Sequence, residues 1–351
     1  MMNMKKAWRS RLCLLSSVLC LLITGCSKSV VTQESYVFGT RVEILIADAP
    51  ETVAQTAAAA VLRDFDELHR KYHAWQPSEL TTVNDAIAAG KSVDVSAELA
   101  GFIADTQNFA QQSRYRFDPG IGRLIQLWGF QSDEFPPQLP DPADLAKWRT
   151  HPASIMQLHL AGRAVTSANR NVALDFGGYL KGVALDRAAA SLKAAGIKNA
   201  IVNIGGNVIA LGDKYGKPWK IGIQHPRRPG TLATLELRDG EAIGTSGDYQ
   251  RYFELDGKRY SHLLDPLRGE PAQHTQAVTL LIPPAADAGA RSDALSKPVF
   301  IAGAKGWQEA AHELGLKQAL RIDADGNIEV TSALNQRLVF VDKTLNIKVV
   351  D

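Results

Sequence analysis

The sequence predicts an α+β protein: helices concentrated in its first half, short and largely antiparallel strands in its second. Three features point there. Up to His151 apolar residues recur at helical spacing. Beyond it the texture changes to the short runs "SIMQLHLAG", "RAVTSA", "AIVNIGG", "NVIALG", "WKIGIQH", "TLATLEL" and "YFELDGKRYSHLL", broken by Gly and Pro and by an Asp256-Gly257 hairpin signal. The chain has 351 residues, 45% of them hydrophobic, without a repeat, so it can bury a sizeable core as one large domain or two interleaved lobes.

The order of elements follows. Residues 27–33 read as a polar tether, and "SYVFGTRVEILIA" alternates as a first strand, so the fold is expected to start near Tyr36. Val53, Ala57, Val61, Leu62, Phe65 and Leu68 predict a helix from about Thr52 to Tyr72, and Ser96 caps a second running to about Ser113. The proline-rich loop between Gln131 and Pro142 gives way to a short helix in "DPADLAKW".

The first residues speak to location. Lys5, Lys6, Arg9 and Arg11 precede an apolar run from Leu12 to Ile23, too short to span a bilayer comfortably, and the run ends in "LLITGC". Residues 1–25 read as a secretory signal, and the ending resembles the lipobox of bacterial lipoproteins, which implies cleavage before Cys26 and its lipidation. The expected organisation is signal 1–25, tether 26–35 and a folded domain 36–351, in a lipid-anchored protein of the bacterial cell envelope facing the periplasm. Cys13 and Cys20 leave with the signal, so cysteine nucleophiles, thiolate metal sites and disulfides are excluded. Loss of the four cations turns a formal charge of +2 into about −2, which argues against a nucleic-acid partner.

Chemistry concentrates in a few segments. In "ALDFGGYLKGVALDRAAASLKAAG", Val172 to Asp175 read as a strand, Gly177 and Gly178 as a turn, and Tyr179 to Ala195 as a helix closed by Gly196. That geometry lets an anion approach the amides of the first helical turn, and Lys181 there opposes the helix dipole unless an anion is near. A glycine turn beside a solvated lysine explains the same residues equally well. The spacing is not that of a dinucleotide fingerprint. In "GTSGDYQRYFELDGKRYSHLLDPLRGEP", Gly244 to Gly247 read as a small-residue turn, and a hairpin returns His262 beside it, three residues before Asp265, a carboxylate able to set the tautomer of a general base. Finally, "SDALSKPVF" places Asp293, Ser296 and Lys297 at i, i+3 and i+4, one face of a helix.

The segments "LDFGGYLKGVALDRA", "NIGGN", "GTSGDYQRYFELDGKRYSHLLDP", "GEP" and "SDALS", with "FDPGIGRLIQLWGF" upstream, resemble in order and spacing the ApbE family, exported Mg²⁺-dependent FAD:protein FMN transferases. The resemblance runs from about Tyr36 to the C-terminus. It implies two interleaved α/β lobes holding FAD in a cleft between them, and transfer of the FMN half to a Thr or Ser of a partner flavoprotein, a subunit of a membrane redox complex, with release of AMP. It places Phe38 beside the isoalloxazine, and Phe117, Asp118, Asp175, Ser246 and Leu264 in the cofactor pocket. Lys181 falls at the pyrophosphate, His262 at the base that activates the hydroxyl, and the Gly178 carbonyl and Asp293 at the metal.

At the last motif the chain departs from the family, which usually reads D-A-x-x-T with the Thr hydroxyl helping to hold the metal; here Lys297 stands in that place. Either Ser296 supplies the missing oxygen, or the Lys297 ammonium stands where the metal would be, or the two charges form a plain i,i+4 pair. Retention of Gly178, Asp293, Lys181 and His262 favours the first, Mg²⁺ on Gly178, Asp293 and Ser296. Two rival functions accompany the transferase: an FAD pyrophosphatase releasing FMN and AMP, and a lipoprotein that binds FAD without turning it over.

Overall fold

The computed structural model describes residues 30–351; the expected signal, Cys26 and its lipid lie outside the described residues. The backbone is a nine-stranded sheet whose spatial order follows the chain: Val30–Val37, Thr40–Ala47, Asn199–Ile204, Asn207–Leu211, Ala242–Gly247, Thr275–Ile282, Ala319–Asp323, Ile328–Thr331 and Ile347–Val350. Neighbours are antiparallel except the last pair. The expected α+β class with largely antiparallel sheets holds.

Between the second and third strands the chain inserts helices α1 (Glu51–Lys71), α2 (Glu79–Ala88), α3 (Ala97–Gln112), α4 (Gly122–Leu127), α5 (Pro142–Thr150) and α6 (Leu180–Ala194), together with a small sheet of Val93–Asp94, Leu158–Ala161 and Ala164–Ser167. Helix α7 (Ala288–Glu313) follows the strand Thr275–Ile282. The larger core joins one sheet face to α1, α6 and α7 through residues such as Ile44, Val61, Leu185, Leu280 and Phe300. A second core lies on the opposite face, where Trp219, Leu235 and Leu338 of a three-stranded sheet meet Ile201, Val208 and Ile243.

Several boundaries differ from the sequence reading. The first strand begins at Val30, not near Tyr36, and pairs residue for residue out to Val30 opposite Ala47, so residues 30–35 belong to the sheet and not to a tether. Thr32 and Glu34 disguised it, because an edge strand tolerates polar residues on its exposed side. Helix α2 went unrecognised; Ser78 accepts from the Thr81 amide at 3.1 Å while the Thr81 hydroxyl accepts from the Ser78 amide, a capping box with Thr in place of Glu. Residues 172–175 form no regular strand. Their amides and carbonyls go to Asn169, Gly120, Gly122, Pro119 and the Asn84 side chain. Gly244 to Gly247 lie in a strand and not a turn; the residues are small because α7 presses on them, Ser296 meeting Ser246 side chain to side chain.

Helix α7 runs through Pro298 and breaks only at Gly303, where φ is 64° and ψ −166°. Its first turn crosses α6 at very short range. A Cβ on Gly182 would stand 2.4 Å from the Gly289 carbonyl oxygen, and the reverse holds for Gly289 against Gly182. The Asp186 carboxylate accepts from the Gly289 and Ala290 amides at 2.7 and 2.8 Å, which fixes α7 in register on α6. Burial pushes the Asp186 carboxyl up to about 7, against the pull of those two amides. Gly182→Ala is expected to lower stability by about 1–3 kcal/mol, the range for overpacking a close contact, in urea titrations; an unchanged midpoint would mean that the helices part without cost.

Candidate functional site

The α6–α7 crossing sets the first half of the site. Lys181, on the first turn of α6, and Asp293, on α7, come together with Nζ 3.9 Å from Oδ1, and the Gly182 amide donates to Asp293 Oδ2 at 3.1 Å. The helical spacing then brings Lys297 back onto Asp293: Nζ donates to Oδ1 at 2.6 Å and to the Asp293 carbonyl at 2.7 Å. Burial alone would raise the Asp293 carboxyl, but Lys181 and Lys297 outweigh it and hold the group at about 2, fully ionised near neutrality. At Lys297 burial works against the charge and Asp293 restores part of it, leaving the ammonium below the ordinary lysine value. Ser296 Oγ donates to the Asp293 carbonyl at 2.7 Å and lies 2.7 Å from Ser246 Oγ on the neighbouring strand. Gly178 completes the cluster, since the Lys297 stem lies where its Cβ would be, 2.8 Å away.

The second half is built on the hairpin Tyr252–Leu255 and Lys258–Ser261, which turns at Asp256 and Gly257, both at positive φ as the sequence signal requires. The hairpin closes with the His262 amide bonded to the Arg251 carbonyl at 3.0 Å, and His262 Nδ1 lies 3.1 Å from the same oxygen. A carbonyl only accepts, so Nδ1 carries the proton and Nε2 is left as a base. Burial first, then the charges of Arg251, Lys181 and Lys297, push the imidazole down to about 3. The expected tautomer partner, Asp265, is engaged elsewhere. It accepts from the Leu267 and Arg268 amides and pairs with Arg268, because the turn after its strand needs those acceptors.

Arg251 and Trp75 were not legible as site residues. The Arg251 guanidinium lies over the rings of Trp75 and Phe135, at 5.6 and 5.0 Å, and donates to the Phe130 and Ser132 carbonyls. Its Nε is buried without a partner. Asp175 faces this cation: burial raises its carboxyl, against the Gly177 amide at 2.9 Å and the charges of Arg251 and Lys181. Phe38, in the turn of the first hairpin at φ 56°, packs on Phe65 and His69, and the aromatic row continues through His73 to Trp75. A cleft of about 430 Å³ opens beside Trp75, Gln131 and Ser132. The larger groove, about 940 Å³, lies across the sheet against Trp219–Gln224 and contains none of the expected site residues.

Phe117 is buried beside Gly178, and Leu264 is buried in the short strand paired with Glu270–Pro271. Asp118 spends its carboxylate internally, accepting from the Gly120 and Ile155 amides, each at 2.8 Å, and from the Ser154 hydroxyl. Three amides at the start of α6 are already engaged: those of Tyr179 and Leu180 go to the Phe176 carbonyl and that of Gly182 to Asp293. An anion here meets the Lys181 and Lys297 ammonium groups, with most of the first-turn amides already committed.

The sequence pattern of the ApbE family matches residues 38–320. The chain belongs to the ApbE family. Among curated members, a Rhodobacter capsulatus FAD:protein FMN transferase is 39% identical over 312 residues, covering 89% of this chain, and this chain spans 59% of that protein's length. The Haemophilus influenzae FAD:protein FMN transferase is 29% identical over 281 residues, 78% of this chain and 80% of its own. Among solved structures, the ApbE protein of Thermotoga maritima superposes with a TM-score of 0.81 at 30% identity, covering 88% of this chain and 99% of that one. The Pseudomonas stutzeri flavinyl transferase ApbE gives 0.76 at 26%, covering 88% and 97%.

The Mg²⁺ expected from the ApbE resemblance can be tested against the donors present. Both Asp293 oxygens are engaged, one by an ammonium at contact distance, and Ser296 Oγ is held between Ser246 and the Asp293 carbonyl. Mg²⁺ takes near-octahedral oxygen ligands at short range, and an ammonium among them repels it. The residues as they stand do not fit Mg²⁺.

Proposed function

We propose that this protein is an FAD:protein FMN transferase. The observation that carries the reading is a base and two cations in one neighbourhood: His262 with Nε2 unprotonated, within the field of Lys181 and Lys297. Phosphoryl transfer needs positioning and charge neutralisation above all. The two ammoniums bind the FAD pyrophosphate, and the aromatic row from Phe38 to Trp75 offers a wall to the flavin. His262 Nε2 takes the proton of an acceptor Thr or Ser hydroxyl. The hydroxyl oxygen bonds to the FMN-side phosphorus, the bridging P–O bond breaks, and AMP leaves with that electron pair. The deprotonated form of the base persists through the neutral range because its pKa is depressed.

The acceptor we propose is a flavoprotein subunit of a membrane redox complex on the periplasmic side, with the transferase tethered beside it by lipid on Cys26; the signal-like start and "LLITGC" support this placement. Incubation with FAD and a Thr-bearing acceptor is expected to give a flavin adduct that survives denaturation, and one AMP per adduct. Release of FMN and AMP at the same rate without acceptor would favour the pyrophosphatase, and no AMP under either condition the binding protein. In the same system Lys181→Ala is expected to weaken FAD binding by about tenfold or more while leaving riboflavin affinity nearly unchanged, since the lost partner is phosphate. Equal losses for both ligands in fluorescence titrations would remove Lys181 from the pyrophosphate.

A further inference from the structure

We propose that the Lys297 ammonium is the built-in counter-cation of this site, standing in place of a divalent metal, so that the protein binds FAD without Mg²⁺. The proposal rests on the transferase reading for the identity of the ligand and on this chain's geometry for the rest. Lys297 is not a surface lysine that happens to reach an acid. Its side chain is 13% exposed and that of Asp293 2%, and its stem fills the space left by the missing Cβ of Gly178. Its ammonium is gripped twice, by a side-chain oxygen and a main-chain oxygen of one residue. Burying such a pair seldom adds net stability, because desolvation offsets the attraction, so the pair itself is a poor reason for keeping the lysine.

Charge gives a better one. Lys181 and Lys297 together exceed Asp293 by one positive charge, and the Arg251 guanidinium adds to that side of the balance. The cluster therefore presents a net cation, fixed in position by α6 and α7, to a pyrophosphate. Ser296 cannot restore the missing ligand by a small adjustment, since its hydroxyl already bridges to Ser246 and the Asp293 carbonyl. Lysine serves phosphate as a compact point charge, which is the electrostatic part of what a metal supplies.

The test uses the whole protein and two readouts that do not need turnover. In fluorescence titrations with EDTA and with Mg²⁺, the FAD dissociation constants are expected to agree within about twofold, and a loss of about tenfold or more in EDTA would overturn the proposal. In Mn²⁺ titrations followed by electron paramagnetic resonance, the ligand-free protein is expected to bind no stoichiometric ion; one tightly bound Mn²⁺ would overturn it. Lys297→Thr is expected to create an Mn²⁺ site and to make FAD binding sensitive to EDTA, and a variant still indifferent to both would also count against the proposal. Should Lys297→Thr fail to fold, Lys297→Gln, expected to lower FAD affinity by about tenfold in EDTA, takes its place. Absence of FAD binding under every condition would sink the transferase reading, while the Mn²⁺ titrations would still report on Lys297.

Discussion

His262→Ala is expected to lower FMN transfer by about 10²–10⁴, the range for loss of a general base, while FAD affinity changes little. The geometry behind this is specific. The Arg251 carbonyl accepts from Nδ1, which leaves Nε2 as the only ring nitrogen able to take a proton. Burial and three cations hold the imidazole at about 3, so Nε2 is unprotonated across the neutral range. The pH profile of kcat/KM should accordingly show no fall near the ordinary histidine value, and transfer at pH 5 should match that at pH 8 apart from effects on the acceptor. A limb centred near pH 6.5 that vanished in His262→Gln would show the imidazole to be solvated and ordinary. Stability carries the opposite signature. Below its unfolded value near 6.5 the histidine gains a proton in the unfolded chain and not in the native one, so stability present above that pH is lost as pH falls towards 3. The slope is about 1.4 kcal/mol per pH unit, and His262→Gln should flatten that part of the acid-unfolding curve.

What the sequence revealed and what it hid divide along physical lines. Lys181, Asp293, Ser296 and Lys297 were legible because helical periodicity fixes neighbours four residues apart, and α6 and α7 are ordinary helices with readable ends. The α+β class was legible for the same local reasons. Arg251 was not, since its partners Trp75, Phe130 and Ser132 lie more than a hundred residues away in the chain and no period connects them. The tautomer of His262 was misassigned to Asp265 for a related reason. Sequence nearness suggested a carboxylate three residues on, whereas the hairpin register delivers the carbonyl of Arg251, eleven residues back. Asp118 shows a third kind of gap. Its motif marks it as a site residue, but only the fold reveals that its oxygens tie Gly120 and Ile155 together.

Asp293→Ala is expected to cost about 3–5 kcal/mol of stability, the penalty for removing one partner of a buried ion pair. The Asp293 side chain is 2% exposed and answers two ammoniums and the Gly182 amide, so its loss leaves Lys297 without its carboxylate partner and two like charges facing each other across the α6–α7 crossing. Lys297 cannot simply swing into water, because its stem is packed on Gly178 and its side chain is only 13% exposed. The double variant Asp293→Ala with Lys297→Met should recover most of the loss, since an unpaired buried charge costs more than an apolar side chain of similar length. If the double variant is no more stable than the single one in urea titrations, the cost lies in the lost Gly182 hydrogen bond and the cavity, and the charge argument fails. FAD binding then separates stability from function: the double variant should fold well and yet bind FAD more weakly than the native chain, because only one of the two ammoniums, that of Lys181, remains to meet the pyrophosphate.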